Sequence, residues 1–93
     1  MSKKIQNRKR VSFEFATEPR AEVFVAGSFN GWNPTKRRLT EKFGSGVYRA
    51  ALVLARGRYE YKFIVNGKWF TDPTSPELAP DGYGSNNAVV NVV

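Results

Sequence analysis

Two residue types are missing from this chain of 93 residues: it has no cysteine and no histidine. Without cysteine there are no disulfides and no thiol chemistry. Without histidine the commonest metal ligand and the commonest general base are gone. No apolar run approaches the ~18 residues of a membrane helix, and no signal-peptide core follows the basic start. The expectation is therefore a cytoplasmic protein with no membrane span. Kinase, phosphate-loop and metal-binding motifs are absent, so no cofactor or metal is expected. Beginning at Met1, the chain reads as a free-standing small protein.

What is present is enough for one domain. Hydrophobic residues make up 41% and aromatics 14%, a globular rather than a disordered composition. A chain this short buries somewhat over ~60% of its unfolded surface, which leaves little room for a large active-site cleft. The formal net charge is +7, a value that invites a nucleic-acid reading. Its distribution weakens that reading. Lys3, Lys4, Arg8, Lys9 and Arg10 fall in the first ten residues with no acid among them, so the other 83 residues are nearly balanced. Residues 1–10 are read as a flexible, solvated tail, and residues 11–93 as a single domain.

Alternation at period two dominates the domain. "VSFEF", "EVFVAGSF", "VYRAALVL", "YEYKFIV" and "NAVVNVV" read as strands, separated by turn signals such as "NGWNPT", "FGSG" and "NG". No helical stripe is visible. The expectation is an all-β sandwich with seven to eight strands. The segment from Thr71 to Asn86 is long for a loop in a compact domain, and loops of that length are often functional.

Asn66-Gly67 is a strong hairpin signal, because a type I′ turn needs positive φ at both central residues. A two-residue loop there pairs Val65 with Lys68, Ile64 with Trp69 and Phe63 with Phe70. Tyr59, Tyr61, Phe63, Val65 and Phe70 then share the core face. Glu60, Lys62, Ile64 and Trp69 share the other, partly wet face. Trp69 there is either a cap over Ile64 or a binding surface. Trp32, in "GSFNGWNP", is a second tryptophan in a polar, turn-rich setting, either a plug for the end of the sandwich or a second binding surface. Flat rings stack on the C–H faces of sugars, while Lys62, Asn30, Asn86 and Asn87 offer hydrogen bonds to hydroxyls.

"GSFNGWNP", "YEYKFIVNGKW..DP" and the closing "GSNNAVVNV" together resemble the glycogen-binding domain of the AMP-activated protein kinase beta subunit. More broadly they resemble carbohydrate-binding module family forty-eight, which also precedes the barrel in isoamylases and branching enzymes. The resemblance covers residues 11–93. It implies an immunoglobulin-like, early-set β-sandwich that binds α-1,4-linked glucan such as glycogen, starch or a maltooligosaccharide. It also implies that Trp32 and Trp69 stack on glucose units and that Lys62 and Asn86 contact the sugar. One departure stands out: Gly82 and Gly84 replace a leucine and a threonine that touch sugar in the kinase domain. Tyr83 between them offers either a third aromatic surface or an ordinary turn residue.

Two other classes of function compete. Catalysis by Glu60, Asp72, Glu77 or Asp81 has no support in their spacing, and Asp72 and Asp81 read as turn residues. "RGRYEYKF" echoes the aromatic strand of an RNA-recognition motif, but Arg58 stands where an aromatic is needed and the helices are missing. A protein-interaction module of the same fold, with weak or no sugar binding, is the alternative to a glucan binder. The partners expected are thus an α-glucan and, in the alternative, a protein, with the chain itself a monomer.

Overall fold

The computed structural model describes residues 7–93. Among them the regular structure is β throughout, in nine strands: β1 (Arg8–Ala16), β2 (Val23–Gly27), β3 (Arg37–Arg38), β4 (Thr40–Glu41), β5 (Val47–Ala55), β6 (Gly57–Val65), β7 (Lys68–Phe70), β8 (Leu78–Pro80) and β9 (Asn86–Val92). All pairings are antiparallel. One sheet runs β1-β5-β4, and the other runs β3-β2-β6-β9-β8 with β7 on β6. The two stack as an immunoglobulin-like β-sandwich.

The period-two patterning explains the layers. Along β1 and β5 the inward residues Phe13, Tyr48, Ala50 and Leu54 meet Val23, Val25, Tyr61, Phe63, Ala88 and Val92 from the other sheet. Phe13 meets Tyr61 edge-on at 5.0 Å, and Phe15 lies 5.0 Å from Phe63. Phe63 has no exposed surface, so truncating it would leave a cavity that neighbours on both sheets cannot fill. Two tyrosine hydroxyls bind connections to this core. The Tyr48 hydroxyl donates to the Glu18 carbonyl at 2.7 Å and accepts from the Ala21 amide at 2.8 Å. The Tyr61 hydroxyl donates to Asp72 at 2.6 Å, and Asp72 also accepts from the amide and hydroxyl of Thr74. Burial, reinforced by Asp72, pushes the Tyr61 pKa up. Asp72 is thus a buried anchor for the turn after β7, as its turn chemistry suggested.

The hairpin register is the expected one, residue for residue: Phe63 with Phe70, Ile64 with Trp69, Val65 with Lys68. Asn66 and Gly67 both have positive φ, as a type I′ turn requires.

Four details differ from the sequence-based expectation. The strand count is nine rather than seven or eight, because β3 and β4 form short ladders on either side of Leu39. That residue is 1% exposed, and it carries the chain from one sheet to the other. The long segment after Thr71 contains β8, an edge strand whose Pro80 lies where a missing N–H costs nothing to a further partner. The first strand begins at Arg8 opposite Ala55, so three residues assigned to the tail belong to the sheet; residues 1–6 of that stretch lie outside the described residues. Phe70 is 43% exposed, because β7 is a short outer strand and only the rim of the core, at Phe15, reaches it.

Candidate functional site

The outer face of the larger sheet carries the side chains of β6 that alternate with the core set: Arg58, Glu60, Lys62 and Ile64. Trp69 stands opposite Ile64 on that face. Ile64 is only 4% exposed, whereas Trp69 keeps 45% of its surface open. Trp69 thus acts as a cap and also presents a ring to solvent.

Trp32 reaches the same face through a tight turn. The Gly27 carbonyl accepts from the amides of Asn30 at 3.0 Å and Trp32 at 2.9 Å. The Asn30 side chain closes the turn, accepting from the Gly27 amide at 3.1 Å and donating to the Val25 carbonyl at 3.2 Å. Gly31 and Trp32 both take left-handed backbone, at φ 66° and 59°. A bulky residue in that region carries a cost of about 1–3 kcal/mol and persists only where its surroundings impose it. Gly27 itself is required by close approach, since a Cβ there would lie 2.5 Å from the Glu60 carbonyl oxygen and 2.6 Å from the Phe29 ring.

The third wall is the loop between β8 and β9. One Asp81 oxygen accepts from the amides of Tyr83 at 2.7 Å and Ser85 at 3.1 Å. Gly82 and Gly84, both at positive φ, let the chain curl around that carboxylate. The other Asp81 oxygen accepts from Lys62 Nζ at 2.7 Å, in an ion pair whose side chains are nearly covered. Tyr83, at the tip, is 93% exposed.

Between these parts lies a cleft of about 780 Å³, with Trp32, Trp69 and Tyr83 around it and Glu60, Lys62 and Asn87 along its floor. Its charges are internally matched. Arg58 donates to one Glu60 oxygen at 2.7 Å, and the Asn87 amide donates to the other at 2.9 Å. Those two bonds, Asn87 first, hold the Glu60 carboxyl below its ordinary range. The Lys62 hydrogen bond, followed by the Tyr83 and Ser85 amides, brings Asp81 down to about 2. Two cations thus face two carboxylates, and both acids are ionised at neutral pH. Neither has the raised pKa of a general acid. The cleft offers hydrogen bonds and flat apolar rings without net charge, which suits a neutral polyol better than a phosphate.

Of the residues singled out in the sequence as sugar contacts, the structure brings Trp32, Lys62, Trp69, Tyr83 and Asn87 to one cleft. Asn30 and Asn86 do not line it. The Asn30 amide is occupied within the Trp32 turn. Asn86 falls on the opposite side of β9 from Asn87, since neighbouring strand residues point to opposite faces; it is Asn87 that reaches the floor. Sequence reasoning missed Asp81 as the partner of Lys62 and gave no part to Arg58 and Glu60. The alternation of Arg58, Glu60 and Lys62 along one strand face was the available signal for the latter two.

Residues 10–93 match the family described as the glycogen recognition site of AMP-activated protein kinase. Protein PTST homolog 2, chloroplastic, of Arabidopsis thaliana is 41% identical over 71 residues, covering 76% of this chain and 13% of its own length. Protein FLOURY ENDOSPERM 6, chloroplastic, of Oryza sativa subsp. japonica is 41% identical over 70 residues, covering 75% and 13%. The human 5'-AMP-activated protein kinase subunit beta-2 is 39% identical over 71 residues, covering 76% and 25%. The chain therefore corresponds to a quarter or less of the length of these relatives.

Proposed function

This chain belongs to the family of the glycogen recognition site of AMP-activated protein kinase, and we propose that it is a non-catalytic module that binds α-1,4-linked glucan by stacking glucose rings on Trp32 and Trp69. The observation that supports this most is the cleft itself: two tryptophans, Trp32 from the turn after β2 and Trp69 from β7, flank a charge-balanced polar floor. Rings held this way bury the C–H faces of a sugar, and the Lys62 ammonium and Asn87 amide donate to its hydroxyls. Tyr83 takes the place of the side chains lost at Gly82 and Gly84, as an exposed third face on the loop that Asp81 holds. Asn30 acts on the sugar only through the Trp32 turn that it closes.

The test is a titration with maltoheptaose followed by tryptophan emission, with cellohexaose as the β-linked control. Binding of the first at micromolar to millimolar concentration, on the order of 4–8 kcal/mol, supports the reading. Equal binding of both sugars, or no response to either at millimolar concentration, refutes it.

A further inference from the structure

A second cleft, of about 740 Å³, opens along the outer face of the smaller sheet, where β3 at the edge of the larger sheet comes beside β5. Its composition is the reverse of the first. Arg10, Arg37, Arg38 and Arg49 line it with a single carboxylate, Glu14. Glu14 pairs with Arg49 at 2.9 Å, and among the described residues the other three arginines form no ion pair. Arg37 Nη2 donates to the Ala51 carbonyl at 2.7 Å, while its Nε is shielded from solvent and has no acceptor. One donor of Arg37 thus holds its guanidinium against the edge of β5, beside the cleft that it lines.

The backbone beside these guanidinium groups is also incomplete. On this edge β5 is paired by β4 only at Tyr48 and Arg49. The Ala51 carbonyl faces the same edge, since it meets Arg37 there rather than β1. By the alternation of an antiparallel ladder, the amide and carbonyl of Val53 face it too. Val53 is 61% exposed, which adds an apolar spot next to the open edge. Unpaired strand edge, apolar side chain and unmatched arginines occur together along one cleft.

We infer that this cleft docks an extended acidic peptide segment of a protein partner, which adds a strand to the open edge of β5 while its carboxylates engage Arg10, Arg37 and Arg38. Strand addition supplies backbone bonds, and guanidinium–carboxylate pairs select the acidic sequence. A nucleic acid would use the arginines but leave the Val53 backbone and side chain unused. None of its lining residues lines the glucan cleft, so the two ligands do not compete, and the inference stands whether or not the chain binds sugar.

The test uses the full chain and a labelled decapeptide of alternating glutamate and valine, followed by fluorescence anisotropy at low and physiological ionic strength. The glutamate peptide binds; a lysine–valine counterpart does not. Arg10→Glu with Arg38→Glu weakens binding at least about tenfold, as expected when a charge-assisted bond is lost, with the urea midpoint unchanged. Arg10→Gln with Arg38→Gln gives a smaller loss in the same direction. Proline in place of the central valine of the peptide abolishes binding, because the added strand loses a backbone donor. The inference is overturned if Lys3→Glu with Lys4→Glu weakens binding as much as the groove variant, or if the proline peptide binds as well as its parent. It also falls if a short DNA duplex displaces the peptide at lower concentration than unlabelled peptide does.

Discussion

Trp69 is where the glucan reading is most exposed to test. The ring keeps 45% of its surface open, roughly 110 Å² of a side chain of about 250 Å². A glucose ring stacked on one face takes up about half of that, ~55 Å², worth about 1.4 kcal/mol at ~25 cal/mol per Å². That is about a tenfold change in Kd. The covered part of the ring, ~140 Å², lies over Ile64 and its neighbours, and its loss costs up to about 3 kcal/mol of folding stability. Trp69→Ala therefore disturbs binding and folding together. Trp69→Leu separates them. Leucine keeps an apolar cover over Ile64 but has no flat face, so the same tenfold loss of maltoheptaose affinity should come with roughly half the loss of stability, about 1–1.5 kcal/mol. Isothermal calorimetry gives the affinity, and urea unfolding gives the stability. A leucine variant that binds maltoheptaose as tightly as the wild type would show that the ring is a cap and no platform.

Three further outcomes follow from the geometry. Tyr83→Ala should leave the urea midpoint unchanged, the ring being almost wholly exposed, yet weaken maltoheptaose binding by about 0.5–1.5 kcal/mol, part of an aromatic anchor; calorimetry and unfolding on one variant decide it. Phe63→Ala, at a site with no exposure, should cost about 3–5 kcal/mol in urea unfolding, the scale of a buried aromatic removed from a packed core. The Asp81 carboxyl, held at about 2 against an ordinary 3.8, is depressed in the folded state, so its contribution is fully present above pH ~4 and is lost as pH falls toward about 2. Urea midpoints measured from neutral pH down to pH ~3 should therefore fall more steeply for the wild type than for Asp81→Asn over the acid end of that range.

Much of this protein follows from local pattern alone. Period-two alternation specified the long strands, because side chains on a strand must alternate between core and solvent. Asn66-Gly67 set the hairpin register, because few other residue pairs accept two left-handed positions in a row. That register in turn puts Lys62 and Trp69 on the outer face from local pattern alone. The short ladders were not legible. Arg37–Arg38, Thr40–Glu41 and Leu78–Pro80 carry no strand pattern of their own, and they pair only because longer strands hold a complementary edge beside them. The polar partners were equally hidden. Lys62 finds Asp81 across 19 residues, and Asn87 finds Glu60 across 27, distances that only the folded sheet closes. The role of Asn30 is of the same kind: its amide looks available in the sequence, but the backbone of the turn consumes it to hold Trp32 in a conformation that a free chain would avoid. Which residues a fold can offer to a ligand is decided after its own backbone groups have taken their partners, and that accounting exists only in three dimensions.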